Sequence, residues 1–148
     1  MSVRAFIDTN VFIYTQRTDC PVKRQIAERA VDYFDCVAST QVLNEIANVF
    51  TKKYPMPAEK VVRLIKSIRE ISEIVVVDES LVEYALDLHS RYRLSYYDCL
   101  MVATAIYSGC RYLITEDMHD ELLVENKLKI VNIFNHADML SLQDSQST

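Results

Sequence analysis

The stretch VRAFIDTN, residues 3–10, decides the fold class of this chain. Its apolar part, from Val3 to Ile7, is short and β-rich, which predicts a buried strand. The residues Asp8-Thr9-Asn10 end that strand and are good N-terminal residues for a short helix. A buried strand that leads directly into a helix is typical of a parallel sheet covered by helices.

The same alternation of strand and helix continues along the chain. Apolar runs predict four further strands at Cys36 to Ala38, Ile74 to Val77, Tyr112 to Thr115 and Lys129 to Ile133. Helical spacing and capping residues predict helices at Val22 to Phe34, Thr40 to Lys53 with Ser39 or Thr40 as the cap, Val61 to Ile71, Ser80 to Tyr92 and Tyr96 to Ser108. We therefore expect one α/β domain over residues 1–140, with a central parallel β-sheet flanked by α-helices, and a frayed polar tail at residues 141–148.

Composition narrows the classes of function. The chain has 148 residues and a single glycine, Gly109, which excludes the glycine-rich phosphate loops of dinucleotide-binding and P-loop proteins. Its net charge of -5 argues against binding nucleic acid mainly through a basic surface, although a metal site can supply positive charge locally. The longest apolar run, Cys99 to Tyr107, is too short to cross a membrane. The four cysteines show no Cys-x-x-Cys pair, so we expect a soluble cytoplasmic protein with reduced thiols.

Two acids follow predicted strands. Asp8 comes after the first strand and Asp117 comes after the strand Tyr112 to Thr115. Ligands of parallel sheets bind beyond the carboxyl ends of the strands, so both carboxylates are candidates for one site. Capping of a turn or helix explains each acid equally well when it is considered alone.

Two further acids lie on predicted helices. Asp98 stands near the beginning of a helix that is apolar nearly all round, where a carboxylate is costly unless it caps the helix with Ser95 or binds a ligand. Glu45 lies at the border of an apolar helical stripe, which is also the usual place for a solvated glutamate. Several carboxylates in one hollow repel each other unless they are protonated or bind a metal. Oxygen ligands of this kind suit Mg²⁺ or Mn²⁺.

Four motifs in order resemble the PIN domain, and particularly the VapC-like toxin ribonucleases. The motifs are FIDTN at residues 6–10, LNE at 43–45, SYYD at 95–98 leading into Leu100-x-x-Ala103-x-Ala105, and LITED at 113–117. The likeness covers about residues 3 to 134. It implies a metal-dependent endoribonuclease that hydrolyses RNA by metal-activated water, with Mg²⁺ or Mn²⁺ as cofactor.

The resemblance also implies roles for residues and partners. The metal-binding and catalytic acids would be Asp8, Glu45, Asp98 and Asp117, and the supporting residues would be Asn10, Thr115 and Glu116. Glu116 is either an auxiliary acid or a solvated turn residue. Proteins of this kind act as toxins restrained by a small antitoxin, and they commonly form homodimers.

Other interpretations remain open in the sequence. Asp8-Thr9-Asn10 also resembles the nucleophile loop of haloacid-dehalogenase-like phosphatases, but Asn10 stands where that pattern has a second acid. A PIN-like fold could also serve as a catalytically silent interaction module. Tyr96 and Tyr97 either stack on bases near Asp98 or pack against the domain.

Overall fold

A computed structural model describes residues 2–140 of the chain. The strands are β1 (Arg4–Ile7), β2 (Asp35–Ser39), β3 (Ser72–Val75), β4 (Tyr112–Thr115), β5 (Leu123–Val124) and β6 (Leu128–Asn132). The helices are α1 (Thr9–Tyr14), α2 (Pro21–Tyr33), α3 (Thr40–Lys52), α4 (Ala58–Ile71), α5 (Glu79–Arg91) and α6 (Tyr96–Tyr107), and residues 138–140 are also helical. The expected tail, 141–148, lies outside the described residues.

The six strands form one sheet in the order β3-β2-β1-β4-β6-β5. Neighbouring strands are parallel except for β5 and β6, which are antiparallel. The chain first steps from β1 to β2 and β3, and then crosses back to β4 on the other side of β1. Because parallel crossovers are right-handed, this reversal places α1 to α4 and the pair α5 and α6 on opposite faces of the sheet. The predicted α/β class is confirmed.

Helix α6 forms the centre of one helix layer. Seven successive residues, from Cys99 to Ala105, are buried, because α6 contacts β2, β4 and β6 on one side and α5 on another. A helix that is apolar all round needs such enclosure. The first turn of α6 is thereby held at the edge of the sheet, and this turn carries Asp98.

The third strand differs from its predicted position. We expected Ile74 to Val77, but β3 covers Ser72–Val75 and pairs with β2 along its whole length. Val76 is 71% exposed, and the backbone N–H of Val77 donates to Thr40 Oγ1 at 3.1 Å, which ends the strand. The apolar run from Ile74 to Val77 therefore did not predict where the strand begins and ends, because packing and strand pairing decide these positions.

The short strand β5 was not predicted. Three residues, 125–127, connect it to β6, and in this turn Glu125 and Asn126 both have positive φ angles, of 55° and 53°. This conformation is the one that tight antiparallel hairpins favour, and asparagine adopts it readily.

No helix within residues 2–140 combines the length and the apolar character that crossing a membrane requires.

Candidate functional site

The candidate site lies where the sheet reverses its direction of winding. β1 and β4 are neighbours, and their connections lead away on opposite sides. In parallel sheets the space beyond the carboxyl ends of two such strands is the usual ligand site. Asp8 directly follows β1 and Asp117 follows β4 by one residue, so the topology brings these acids together.

Asp8 is buried and its carboxylate is fully engaged by neighbouring groups. Oδ1 accepts a hydrogen bond from the Thr9 backbone N–H at 2.6 Å, and Oδ2 accepts one from the Thr115 hydroxyl at 2.7 Å. Asp8 is the N-cap of α1, so the capping interpretation describes a real contact. The pKa of Asp8 is raised to about 7, chiefly by burial and also by the charges of Glu45 and Asp117, although the two hydrogen bonds lower it.

Glu45 is oriented by two residues. Its Oε2 atom accepts a hydrogen bond from the Thr9 hydroxyl at 2.6 Å, and Oε1 accepts one from Gln41 Nε2 at 3.1 Å. The sequence analysis did not select Thr9 or Gln41 for this role. Gln41 lies four residues before Glu45 on one face of α3, which is a spacing that permits such a contact.

Asp98 is the third residue of α6. The helix begins at Tyr96, and the Ser95 hydroxyl caps it by accepting from the Asp98 backbone N–H at 3.1 Å. The predicted serine cap is therefore present. The carboxyl group is about half-buried, and its pKa is raised by this burial and by the negative charge of Asp117, whereas Ser95 lowers it.

Asp117 completes the group of four acids. Its Oδ2 atom accepts a hydrogen bond from Asn10 Nδ2 at 2.7 Å, and its backbone N–H donates to Thr115 Oγ1 at 3.2 Å. Thr115 thus contacts both Asp8 and Asp117. Asn10 and Thr115, for which the family resemblance implies a supporting role, therefore contact acids of this group.

All four acids line a single pocket of about 330 Å³. The pocket is bordered by Asp8, Glu45, Asp98 and Asp117, together with Thr9, Asn10 and apolar residues of α1, α3 and α6. No lysine or arginine of residues 2–140 lines it. Its negative charges therefore lack a neighbouring protein cation, which is the situation in which carboxylates take up protons or metal ions.

Glu116 lies apart from this pocket. Its two carboxylate oxygens accept from the Tyr14 hydroxyl at 2.8 Å and from Lys23 Nζ at 2.6 Å. Lys23 also lies over the ring of Tyr14, with its nitrogen 5.2 Å from the centroid. Glu116 is therefore paired with a cation, unlike the four acids of the pocket.

The donor set fits a hard divalent cation. All four acids supply oxygen, and Asn10 Oδ1 at the same pocket is buried without a hydrogen-bond partner among residues 2–140. Mg²⁺ and Mn²⁺ prefer such oxygen ligands. Within residues 2–140, no three His, Cys, Asp or Glu side chains already surround one point as metal ligands, so binding requires the side chains to turn toward the ion.

Comparison with solved structures shows the same fold in bacterial toxins. A toxin–antitoxin complex from Klebsiella pneumoniae is 22% identical with a TM-score of 0.63, and the match covers 86% of this chain and 96% of that one. A VapC toxin of Mycobacterium tuberculosis that cleaves the sarcin-ricin loop is 19% identical with a TM-score of 0.61, covering 74% and 86%. The DNA-bound VapBC2 complex of Rickettsia felis is 16% identical with a TM-score of 0.63, covering 88% and 100%.

At these low sequence identities, the solved structures show a shared fold only. The family of the chain is shown by a comparison with protein-family models. No protein with a curated description matches the chain. The model of the PIN domain matches residues 5–137, which extend from the second residue of β1 to five residues past the end of β6. This range includes every acid of the pocket, and the chain belongs to the PIN domain family.

Proposed function

We propose that this protein is a divalent-metal-dependent endoribonuclease and the toxin of a toxin–antitoxin pair. One observation carries the proposal: two acids that follow β1 and β4 and two acids on α3 and α6 line one pocket at the carboxyl ends of β1 and β4. In a PIN domain, such a group of acids is suited to phosphodiester hydrolysis with a bound cation.

The ligands of the proposed Mg²⁺ or Mn²⁺ site are Asp8, Glu45, Asp98 and Asp117. When bound, the cation supplies an activated water and offsets the negative charge that develops on the phosphate. The protein supplies the orientation: Thr9 fixes Asp8 through its backbone and Glu45 through its hydroxyl. Thr115 holds Asp8 on one side and the backbone of Asp117 on the other.

The electrostatics of the pocket support the proposal of a bound cation. The negative charge of these acids would repel a phosphate, and no lysine or arginine of residues 2–140 lines the pocket to attract it. Divalent cations held by these acids would offset this repulsion. The charge of the protein, -5, therefore does not exclude an RNA substrate.

RNA is the favoured substrate because one of the similar structures is a toxin that cleaves the sarcin-ricin loop. An antitoxin partner is favoured because similar folds occur in toxin–antitoxin complexes. We also propose that the protein forms a homodimer in the cytoplasm, as the resemblance to VapC-like proteins implies. A catalytically silent interaction module would not need the four acids to share a pocket.

The direct test is cleavage of a panel of RNAs by the purified protein. We expect cleavage with Mg²⁺ or Mn²⁺ and none with EDTA. Asp98→Asn should lower the rate by about 100-fold or more, since a lost metal ligand removes several kcal/mol of transition-state stabilisation. The matched control is Asp32→Asn, which changes an exposed aspartate on α2 away from the pocket and should retain the wild-type rate. Equal cleavage by wild type and Asp98→Asn would contradict the proposal.

A further inference from the structure

A second recess opens beside the acidic pocket, between α3 and α6. Its volume is about 530 Å³, which is within the range of pockets that hold small organic groups. Glu45, Asn48 and Tyr97 line both hollows, so the two are continuous. A ligand that is bound at the acidic pocket and is long enough to extend out of it could therefore reach this recess.

Two unpaired amides project from one side of the recess. Asn44 and Asn48 are exposed residues four positions apart on α3, so they lie on the same helical face. Neither side-chain amide has a hydrogen-bond partner among residues 2–140, and it is the backbone oxygen of Asn48 that accepts from Thr51. Each amide offers donors and an acceptor in one plane, which is the arrangement that reads the edge of a nucleobase.

A third amide, Gln41, lies deeper and has a fixed orientation. Its Nε2 atom donates to Glu45 Oε1 at 3.1 Å and to the Tyr97 backbone oxygen at 3.2 Å. Both partners are acceptors, so turning the amide over would break both bonds. Gln41 is only 7% exposed, and its Oε1 atom is buried with no donor among residues 2–140. A ligand N–H group at the inner end of the recess would satisfy it.

An aromatic ring and apolar side chains border the same space. Tyr97 is 64% exposed, and its ring packs edge-to-face with that of Tyr96, with the centroids 5.3 Å apart. Val77 and Leu100 add apolar surface to the lining. An exposed tyrosine face beside unpaired amides provides both the stacking and the edge contacts that single-stranded bases use.

The two hollows differ in charge, in the same way that the neutral base of a nucleotide differs from its charged phosphate. Apart from Glu45 at the shared border, the residues that line the recess are neutral, whereas the neighbouring pocket holds the acids and the proposed cations. A neutral base suits the first environment and a phosphate suits the second. We propose that the recess is a base-recognition subsite, in which Asn44 and Asn48 read and Tyr97 stacks on a nucleobase of the RNA adjacent to the cleaved phosphate. This assignment rests on the proposed ribonuclease function.

Binding can be tested without cleavage or metal. The four ribonucleosides, and ribose as the control without a base, would be titrated at millimolar concentration into the EDTA-treated protein while the side-chain amide NMR signals are followed. We expect the Asn44 and Asn48 signals to shift with at least one nucleoside and not with ribose. Asn44→Ala should weaken that binding about fivefold, as the loss of one hydrogen bond implies. No shift with any nucleoside, or equal shifts with ribose, would overturn the proposal and leave the recess to a protein partner.

Variants of the ring and a matched amide control complete the binding test. Tyr97→Ala should weaken nucleoside binding by about tenfold, while Tyr97→Phe retains the ring and should bind as wild type does. Gln25 is an exposed helical amide on α2 outside both hollows, so Gln25→Ala should have no effect. Loss of binding in Gln25→Ala equal to that in Asn44→Ala would contradict a specific site.

Cleavage of a random-sequence RNA pool tests the base-recognition subsite separately from the proposed ribonuclease function. If wild type cuts, sequencing of the products should show a base preference at one position next to the cut, and Asn44→Ala should reduce that preference about fivefold. An unchanged preference in Asn44→Ala would overturn the subsite while leaving the nuclease intact. No cleavage by wild type with added metal, together with nucleoside binding in the NMR experiment, would instead contradict the proposed enzyme and leave base binding intact.

Discussion

Thr9 connects two of the four acids through two different groups. Its backbone N–H binds Asp8 and its hydroxyl binds Glu45, each at 2.6 Å. A serine at this position would retain both donors, whereas a valine would lose the hydroxyl contact with little change of shape. The orientation of Glu45 relative to Asp8 therefore depends on one hydroxyl group.

The raised pKa of Asp8 predicts how the metal-free protein responds to pH. The folded protein holds the Asp8 proton to about pH 7, whereas the unfolded chain releases it near the ordinary value of 3.8. The stabilising effect of this proton is therefore complete below about pH 4, is lost as the pH rises to 7, and stays lost above that. Asp8→Asn removes this titration and keeps the shape of the side chain.

The measurement is urea unfolding of both proteins in EDTA at pH 5 and pH 8. We expect the stability of Asp8→Asn relative to wild type to increase by about 2 kcal/mol between these two pH values. Titrating groups that are remote from Asp8 are common to the two proteins and cancel in the difference. A difference that is the same at both pH values would show that the Asp8 carboxyl does not titrate in this range.

Metal binding should reverse the effect of removing a charge at Asp98. In EDTA, Asp98→Asn should have a higher melting temperature than wild type, because burial and the charge of Asp117 disfavour the Asp98 carboxylate. Wild type should gain about 2.7 kcal/mol when Mn²⁺ is present at 100 times its dissociation constant, and the mutant should gain less. Thermal melting with increasing Mn²⁺ is the measurement. Identical metal-induced shifts would place the ion elsewhere.

The sequence indicated the acids better than their partners. Asp8 and Asp117 follow strands, and this position alone marked them as candidates, because strand ends are visible in an apolar pattern. The roles of Thr9 and Gln41 depend on contacts between α1, α3 and α6, which are distant in the chain. A one-dimensional pattern does not contain such contacts, and the direction of Glu116 toward Lys23 was hidden for the same reason.

Among the elements, the first turn of α6 offers the sharpest test. Ser95 caps this helix by accepting from the backbone of Asp98, one of the proposed ligands. Ser95→Ala should lower the free energy of unfolding by about 1 kcal/mol, and it should also slow cleavage because Asp98 loses its fixed position. Ser67→Ala, an exposed serine in the middle of α4, is the control and should change stability by less than about 0.5 kcal/mol.

Chemical denaturation and the RNA cleavage assay measure the two effects of Ser95→Ala. The conservative replacement Ser95→Thr retains a capping hydroxyl and should restore most of both properties. Wild-type stability in Ser95→Ala would mean that the cap is dispensable. Wild-type cleavage together with lowered stability would separate the cap from the positioning of Asp98.

The elements themselves were predictable to different degrees. The predicted bounds of β4 match those of the structure, since Tyr112 to Thr115 is a short apolar run in the centre of the sheet. Helix α4 begins at Ala58, before the apolar spacing that starts at Val61, because the first turn after Pro57 is solvated and carries no pattern. Strand β5 has only two residues, too few to show any periodicity.

At the scale of the whole molecule, the proposed toxin role predicts an effect on growing cells. Expression of the wild-type protein in a bacterial host should arrest growth, because uncontrolled RNA cleavage stops protein synthesis. Asp8→Ala should relieve the arrest at an equal protein level, and Asp32→Asn should not. Growth curves with a quantitative immunoblot are the measurement. Harmless expression of a protein that cleaves RNA in vitro would count against the toxin role but not against the nuclease.

The distribution of the acids along the chain has a consequence for the order of its synthesis. Asp8 leaves the ribosome first, but Asp117 follows β4, and β4 is paired on its outer side by β6, which ends at Asn132. The pocket consequently cannot assemble until nearly all of the domain has been translated. A nascent chain carries Asp8 and Glu45 for most of the synthesis of this domain without an assembled acidic pocket. For the proposed toxin, this topology would delay activity until β6 has been synthesised, which would leave time for the proposed antitoxin to be present.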